Sequence, residues 1–304
     1  MAVPMTREIF QNFTNLGLAL TGIFQDQLTA VADSNSLGNL FRISDSSQAA
    51  ERNHGVGGFG NFREYTGALE YDSYEPLYRQ TYTHREFAMG YAIERKAVDD
   101  DGIGVFSDAA RKLGLAADRT VYTAMASVFN NAFTAGATAG ADGVALCANN
   151  HPYSPTDTTT QSNVVTTPLT ADSLIAAQQT MMSWLDSRGN PTMAEPDTLI
   201  VPVGLRSTAL TIVGSAGRPG TANNDTNVVG GAFNVIVSRY LTDSNNWFLV
   251  DSRMAREYLR WYWRTRPEFV VNANSEYDLQ VMVRGYMRYS FGFDHWNWIL
   301  GANV

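Results

Sequence analysis

The sequence predicts a mixed α+β fold that carries a long hairpin. Three observations predict it. Phe106, Ala110, Leu113, Ala117, Val121, Ala124, Val128 and Ala132 recur at steps of three and four over residues 105–134, which is the stripe of one helix face. Near the C-terminus Leu279, Val281, Val283, Met287, Tyr289, Phe291 and Phe293 alternate with Gln280, Arg284, Arg288 and Ser290, the period of a strand. In residues 62–98, Phe87, Met89, Tyr91, Ile93 and Ala97 face one way and Ala88, Gly90, Ala92, Glu94 and Lys96 the other. Phe62, Tyr65, Leu69 and Tyr71 supply the first limb, with turn chemistry at Asp72-Ser73. A two-stranded excursion of this kind is marginal alone in water, so it must lie on its own body or on a neighbouring subunit.

The remaining elements follow in order. Residues 6–32 read as a helix through Ile9, Phe10, Phe13, Leu16, Leu20, Phe24 and Leu28. Residues 34–60 lack periodicity, and Gly55, Gly57, Gly58 and Gly60 read as a flexible hinge. Asp99-Asp100-Asp101-Gly102 ends the hairpin before the long helix. A loop over 144–168 leads to a helix at 171–187, capped by Thr170 and facing inward with Leu174, Ile175, Met181 and Leu185. A buried strand at 198–201 stops at Pro202, a helix covers 203–214, and a Gly/Asn loop spans 215–231. Strands are expected at 233–238, 246–250, 257–263 and 278–291, too irregularly spaced for repeated βαβ units.

Composition narrows the function. The chain of 304 residues has 44% hydrophobic residues, 17% charged residues and a net charge of −8. It can bury a real core, and its acidity argues against a dedicated nucleic-acid binder. No apolar run is long enough for a membrane span, and a signal pattern is absent from residues 1–7. The single Cys147 excludes an internal disulfide framework and a multi-cysteine zinc site. Of 22 basic residues only Lys96 and Lys112 are lysine, and aromatics make up 12%. Arg and aromatic side chains are enriched where proteins meet, although genomic base composition also favours Arg.

No catalytic set emerges. His54, His84, His151 and His295 form no metal-ligand spacing. Cys147 and His151 sit in a loop without a redox or protease signature and read as structural. The three consecutive aspartates point in different directions and do not space ligands as a calcium loop does. They suit the helix N-terminus that follows, or an arginine of another subunit. Tyr258-Leu-Arg-Trp-Tyr-Trp-Arg reads as a packed strand with an Arg on either side rather than a base-stacking platform. An enzyme is therefore not expected, and neither a cofactor nor a metal.

Four segments resemble one family. Phe62-Arg-Glu-Tyr-Thr-Gly67 is similar to an Arg-Glu-Trp-x-Gly loop opening, and Ile93-Glu-Arg-Lys-Ala-Val-Asp-Asp-Asp-Gly-Ile-Gly104 to an acidic run before a spine helix. Asp142-Gly-Val-Ala-Leu-Cys-Ala-Asn-Asn-His-Pro152 is similar to a D-G-x-x-L-F-x-x-x-H-P loop, and Pro196-Asp-Thr-Leu-Ile-Val-Pro202 to a P-x-x-L-I-V-P strand. In this order they resemble the tailed-phage major capsid proteins of the Hong Kong 97-type fold, most nearly the Mu-like major head subunits. Tyr65 stands where Trp is usual, Cys147 where Phe is, and Asp99 where Glu is.

The resemblance implies an N-terminal arm (1–53), an extended loop (54–98), a peripheral domain with the spine helix (99–167), an axial domain (168–250) and a return to the peripheral domain (251–304). It implies a shell of pentamers and hexamers around double-stranded DNA held without sequence-specific contacts, in a virion capsid assembled in the host cytoplasm. The expected partners are a separate scaffolding protein, a portal and a cement protein, with no membrane. The intersubunit contacts are expected at Arg63, Tyr65, Tyr71, Tyr78, Arg85, Phe87, Tyr91, Asp99, Asp100 and Asp101. A loop tip without lysine predicts no Lys–Asn covalent cross-link. An encapsulin-like nanocompartment shell and a virion adhesin or decoration protein are the alternatives.

Overall fold

The computed structural model describes residues 21–24, 37–65, 67, 71–73, 75–94, 104–136, 140–218, 225–272 and 280–304. Asp99, Asp100, Asp101 and most of the expected N-terminal helix lie outside them. Residues 21–24 are helical, and Phe24 is buried.

In chain order, a 3-10 turn (Leu37–Leu40) precedes β1 (Arg42–Asp45), β2 (Ala50–Val56), β3 (Pro76–Thr83), β4 (Arg85–Glu94) and the long helix α1 (Gly104–Asn130). Short strands β5 (His151–Pro152), β6 (Thr160–Gln161) and β7 (Val164–Val165) interrupt the expected loop. Then come α2 (Ala171–Met182), β8 (Thr198–Pro202), a second 3-10 turn (Val203–Leu205), α3 (Arg206–Gly214), β9 (Asn234–Ser238) and β10 (Trp247–Val250). The chain finishes with α4 (Ser252–Tyr258), β11 (Leu259–Asn272), β12 (Gln280–Phe293) and β13 (Ile299–Ala302).

Two larger sheets organise the body. One has four strands in the order β1-β11-β12-β4, and the other five in the order β7-β13-β10-β8-β9. The five-stranded sheet holds the densest core. Trp247, Leu249, Val250, Leu199, Ile200, Trp298, Ile299 and Leu300 are almost wholly enclosed there. Strands buried on both faces read as continuous apolar runs, which is why Thr-Leu-Ile-Val-Pro is legible as β8. Phe129 of α1 packs edge-on against Phe248 and Trp298, which ties the long helix to this sheet. Nearer the start of α1, Ala110 and Leu113 pack with Phe24, Ile93, Phe269, Val281 and Val283 against the far end of the four-stranded sheet.

The expected hairpin is built differently. Its first limb is β2, not residues 62–71, and β2 pairs antiparallel with β3. The second limb divides at His84. Beyond it β4 leaves the ribbon and pairs antiparallel with β12 from Arg85↔Tyr289 to Glu94↔Gln280. The alternating face of β4 finds its partners within its own subunit: Ile93 lies opposite Val281 and Phe87 opposite Met287.

Other boundaries shift for identifiable reasons. The helix expected to reach residue 187 stops at Met182, because Gln161 grips both the N–H and the C=O of Leu185 (2.9 and 2.8 Å) and Leu185 bridges Pro191. Its start is as expected: Thr170 accepts from the Ser173 N–H, and Ser173 accepts from the Thr170 N–H. Residues 252–258 are helical where the strand at 257–263 was to begin, because Asp251 accepts from the N–H groups of Arg253 and Met254. The glycine hinge is also close-packed rather than open. A Cβ at Gly55 would lie 2.8 Å from Leu77 Cβ, and one at Gly58 2.7 Å from Asp186 Oδ2.

Candidate functional site

Among the described residues, a run of uncovered aromatic side chains lies in the turn of the ribbon. Residues 57–65 and 71–73 carry no regular secondary structure. They display Phe59, Phe62, Tyr65 and Tyr71, exposed by 61%, 107%, 71% and 88%. Four large aromatic side chains thus stand in solvent along one short stretch. Among the expected contact residues, Arg63, Tyr65 and Tyr71 lie on it.

The others lie elsewhere. Phe87 stacks on Tyr289 at 4.6 Å and Tyr91 is half-buried beside the inner end of α1, so both serve the subunit's own sheet. Burial also pushes the Tyr91 hydroxyl up. Tyr78 on β3 is half-buried, and burial with the nearby Asp142 carboxylate raises its hydroxyl. Arg85 is exposed at the first pair of β4 with β12.

Two polar clusters fix the root of the ribbon. In the first, Asp294 accepts from Tyr82 Oη at 2.5 Å, Arg260 Nε at 2.7 Å and Asn53 Nδ2 at 3.0 Å. Tyr262 joins by accepting from Asn53 Nδ2 at 2.9 Å. Asn53 belongs to β2 and Tyr82 to β3, so both ribbon strands are tied to one carboxylate beyond β12. Burial, then the Asp294 charge, raises the Tyr82 hydroxyl far above its ordinary value.

In the second cluster, Ser46 donates to Glu51 Oε1 at 2.5 Å and lies 3.1 Å from His84 Nε2, while His84 Nδ1 lies 3.0 Å from Ser290 Oγ. The Ser46 proton goes to Glu51, so His84 donates to Ser46 through Nε2 and accepts from Ser290 through Nδ1. Burial, then the Arg288 charge, holds the His84 ring below its ordinary range. A serine that gives its proton to glutamate offers none to histidine, so the cluster is a brace and not a nucleophile–base pair.

Farther out, a third contact reaches the ribbon from the body. Arg188, on the turn after α2, donates to Ser73 O at 2.7 Å and to Gly58 O at 3.3 Å. Its guanidinium also lies 3.6 Å from both Asp72 Oδ1 and Glu75 Oε2.

Cys147 and His151 are structural, each with its own partners. Cys147 is buried against Gly301. His151 holds Asp142 Oδ2 at 2.7 Å through Nδ1 and stacks on Trp296 at 4.6 Å. In the aromatic run, Trp261 and Trp263 are buried and Arg260 pairs with Asp294, as a packed strand requires. Among the described residues no His, Cys, Asp or Glu group could hold a metal, and no helix is long and apolar enough to cross a membrane.

Sequence reasoning missed Phe59, Asn53, Tyr82, Arg188 and Asp294. Only Phe59 had a local signal, as one more aromatic in a stretch rich in them. The partners of Asn53 lie 209 and 241 positions away in the chain.

Comparison with known proteins places these features. The profile of a family described as phage capsid protein matches residues 78–300. Among solved structures, the procapsid of bacteriophage JBD30 is similar at 15% identity and a TM-score of 0.55, covering 98% of this chain and 76% of that one. The Mycobacterium phage Patience structure is similar at 12% identity and a TM-score of 0.56, covering 94% and 87%. The capsid of a native GTA particle is similar at 12% identity and a TM-score of 0.51, covering 88% and 90%. No curated protein sequence matches significantly.

Proposed function

The chain belongs to the phage capsid protein family and is a major capsid protein with the Hong Kong 97-type fold, and from that premise we propose how its copies build a shell. They join as pentamers and hexamers into an icosahedral container for double-stranded DNA, assembled in the host cytoplasm. The ribbon tip carries this reading. Phe59, Phe62, Tyr65 and Tyr71 stand in solvent while the ribbon root is fixed at Asp294 and His84. A rigid arm with an aromatic end is built to bury that end on a neighbour. Contacts that use different surfaces on the two copies close into rings, as capsomers do.

The domain division follows the same reading: arm 1–53, extended loop 54–98, peripheral domain 99–167 and 251–304, and axial domain 168–250. Within the extended loop, residues 57–75 make the lateral contact, with Arg63, Tyr65 and Tyr71 at its centre, and the aspartates 99–101 of the peripheral domain add a further charged contact. The wording of the four motifs supports a place near the Mu-like head subunits. The net charge of −8 suits a wall that DNA must slide past, because a basic lining would hold phosphates. The protein works by assembly and not by catalysis. A separate scaffolding protein, a portal and a cement protein complete the particle.

The test is electron microscopy of the recombinant chain under assembly-promoting conditions, with and without candidate scaffold. Closed icosahedral particles are expected. Subunits that stay single under every condition would overturn the reading.

A further inference from the structure

The ribbon is held at its root by two braces, but roots alone do not aim a tip. The turn after α2 supplies what the roots lack. That turn is itself stiff. Asp186 accepts from the N–H groups of Arg188 and Asn190, each at 2.8 Å, and the Asp186 N–H donates to Asn190 O at 2.7 Å. Gly189 turns the chain with a φ of +79°, which glycine adopts without strain.

From this platform Arg188 reaches both sides of the ribbon. It takes the Gly58 carbonyl on the outgoing side and the Ser73 carbonyl on the return, with Asp72 and Glu75 around the same guanidinium. The outgoing backbone passes so close that a Cβ on Gly57 would lie 3.0 Å from Ser187 Oγ. Asp72 is itself locked, since it accepts from the Gly60 and Ser73 N–H groups at 2.9 and 2.8 Å. Those bonds first, and Arg188 after them, hold its carboxyl below the usual range. Thr156 completes the clasp by donating to Glu75 Oε1 at 3.2 Å.

We propose that Arg188 is the positioning residue of the ribbon: its planar fork binds the outgoing and returning backbone together and sets the direction of the aromatic tip before a neighbour is met. The purpose of this clasp rests on the shell reading, but its existence does not. Arg suits the role because its guanidinium offers five donors in one plane, whereas the lysine ammonium is a point charge. The contact is also partly exposed, so salt weakens its pairing with Asp72 and Glu75, and a lysine version, which leans on charge more than on the planar fork, weakens further with salt.

The experiment measures the tip on the unassembled subunit. Phe62→Cys and Thr211→Cys carry spin labels, and the buried Cys147 stays unlabelled. Thr211 is exposed on α3. A single narrow distance distribution is expected with Arg188, and one at least twice as wide with Arg188→Ala. Arg188→Lys should give an intermediate width that grows with salt.

Hydrogen exchange is read in parallel. The Gly57 and Gly60 amides should exchange at least tenfold faster in Arg188→Ala, while β10 and β13 stay as slow as before. Equal widths in all three proteins would overturn the proposal. So would a lysine variant as narrow as arginine at every salt concentration, because charge alone would then aim the tip. Shell formation is read separately by microscopy. Unlabelled subunits with Phe62 intact that never assemble, while the labelled protein keeps the narrow distribution, would sink the shell reading and leave the clasp standing.

Discussion

Arg260 and Asp294 meet at 2.7 Å beneath the ribbon root, with their side chains 19% and 15% exposed. They join the start of β11 to the end of β12, and the same carboxylate binds Tyr82 and Asn53 of the ribbon. Removing the carboxylate leaves a nearly enclosed guanidinium and the Tyr82 hydroxyl without that acceptor, while Asn53 keeps only Tyr262. Asp294→Ala should lower the unfolding free energy by about 3 kcal/mol, the range for breaking one side of a buried pair. Denaturant titration checks this, and a change below about 1 kcal/mol would count against the brace.

Asp118 gives a pH dependence of unusual sign. Its carboxyl lies buried in α1, with Oδ2 unpartnered among the described residues, and burial pushes it up to about 7 from 3.8. The folded state therefore keeps a proton that the unfolded chain has released. Stability from this group is full below about pH 4 and is lost as pH rises through about 7. Asp118→Asn should remove that decline, so the variant gains on the parent at about pH 8 and not at about pH 4. Melting temperature against pH reads it directly.

His295 acts in the opposite direction. Burial lowers it to about 4 from 6.5. The folded state thus binds fewer protons than the unfolded chain between those values. Its contribution is present above about pH 6.5 and is lost as pH falls through about 4. The two trends overlap, so the acid limb belonging to His295 should stand out in the Asp118→Asn background. It should flatten when His295→Gln is added.

Gly301 lies in β13, where a Cβ would come within 2.7 Å of Cys147 Sγ and 2.9 Å of Phe133 Cε1. Gly301→Ala should cost about 1–3 kcal/mol by overpacking. Adding Cys147→Ala should recover part of it, a coupling that denaturation of the single and double variants would expose.

The tip separates stability from assembly. Phe62→Ser and Tyr71→Ser should change subunit unfolding by less than about 0.5 kcal/mol, since both side chains are exposed. Each should raise the concentration needed for assembly at least about tenfold, as loss of an aromatic anchor does. Light scattering during assembly distinguishes the two effects.

The ribbon also has no lysine between residues 54 and 95. Assembled particles boiled in detergent should release a single 33.4 kDa band. A ladder of larger bands would show covalent welding.

Some of this was legible in the sequence and some was not, for physical reasons. β12, β8 and α1 announce themselves because burial imposes a period or a run on neighbouring residues. The Thr170 cap is visible because capping is local. β2 is hidden: Ala-Glu-Arg-Asn-His-Gly-Val has no apolar alternation, since its strand pairs in a ribbon and its Asn53 is satisfied from the far end of the chain. The aromatic stretch at 62–71 drew the eye instead, and those rings are exposed because they have no place in this subunit's own core. Asp294, Arg188 and His84 are unremarkable residues until topology brings their partners to them. The alternation of β4 marks a strand, but periodicity says nothing about which surface a strand will find.

β1 lies parallel to β11, pairing Arg42 with Arg260, and β13 sits between β7 and β10 inside the five-stranded sheet. A ribosome making this polypeptide therefore releases β1 long before its partner β11 exists, and the interior of the second sheet waits for β13, which follows its other described strands. Neither sheet can close on a nascent chain. A chain cut short ahead of β13 would therefore lack a strand from the interior of the five-stranded sheet, with β7 and β10 left unpaired to each other.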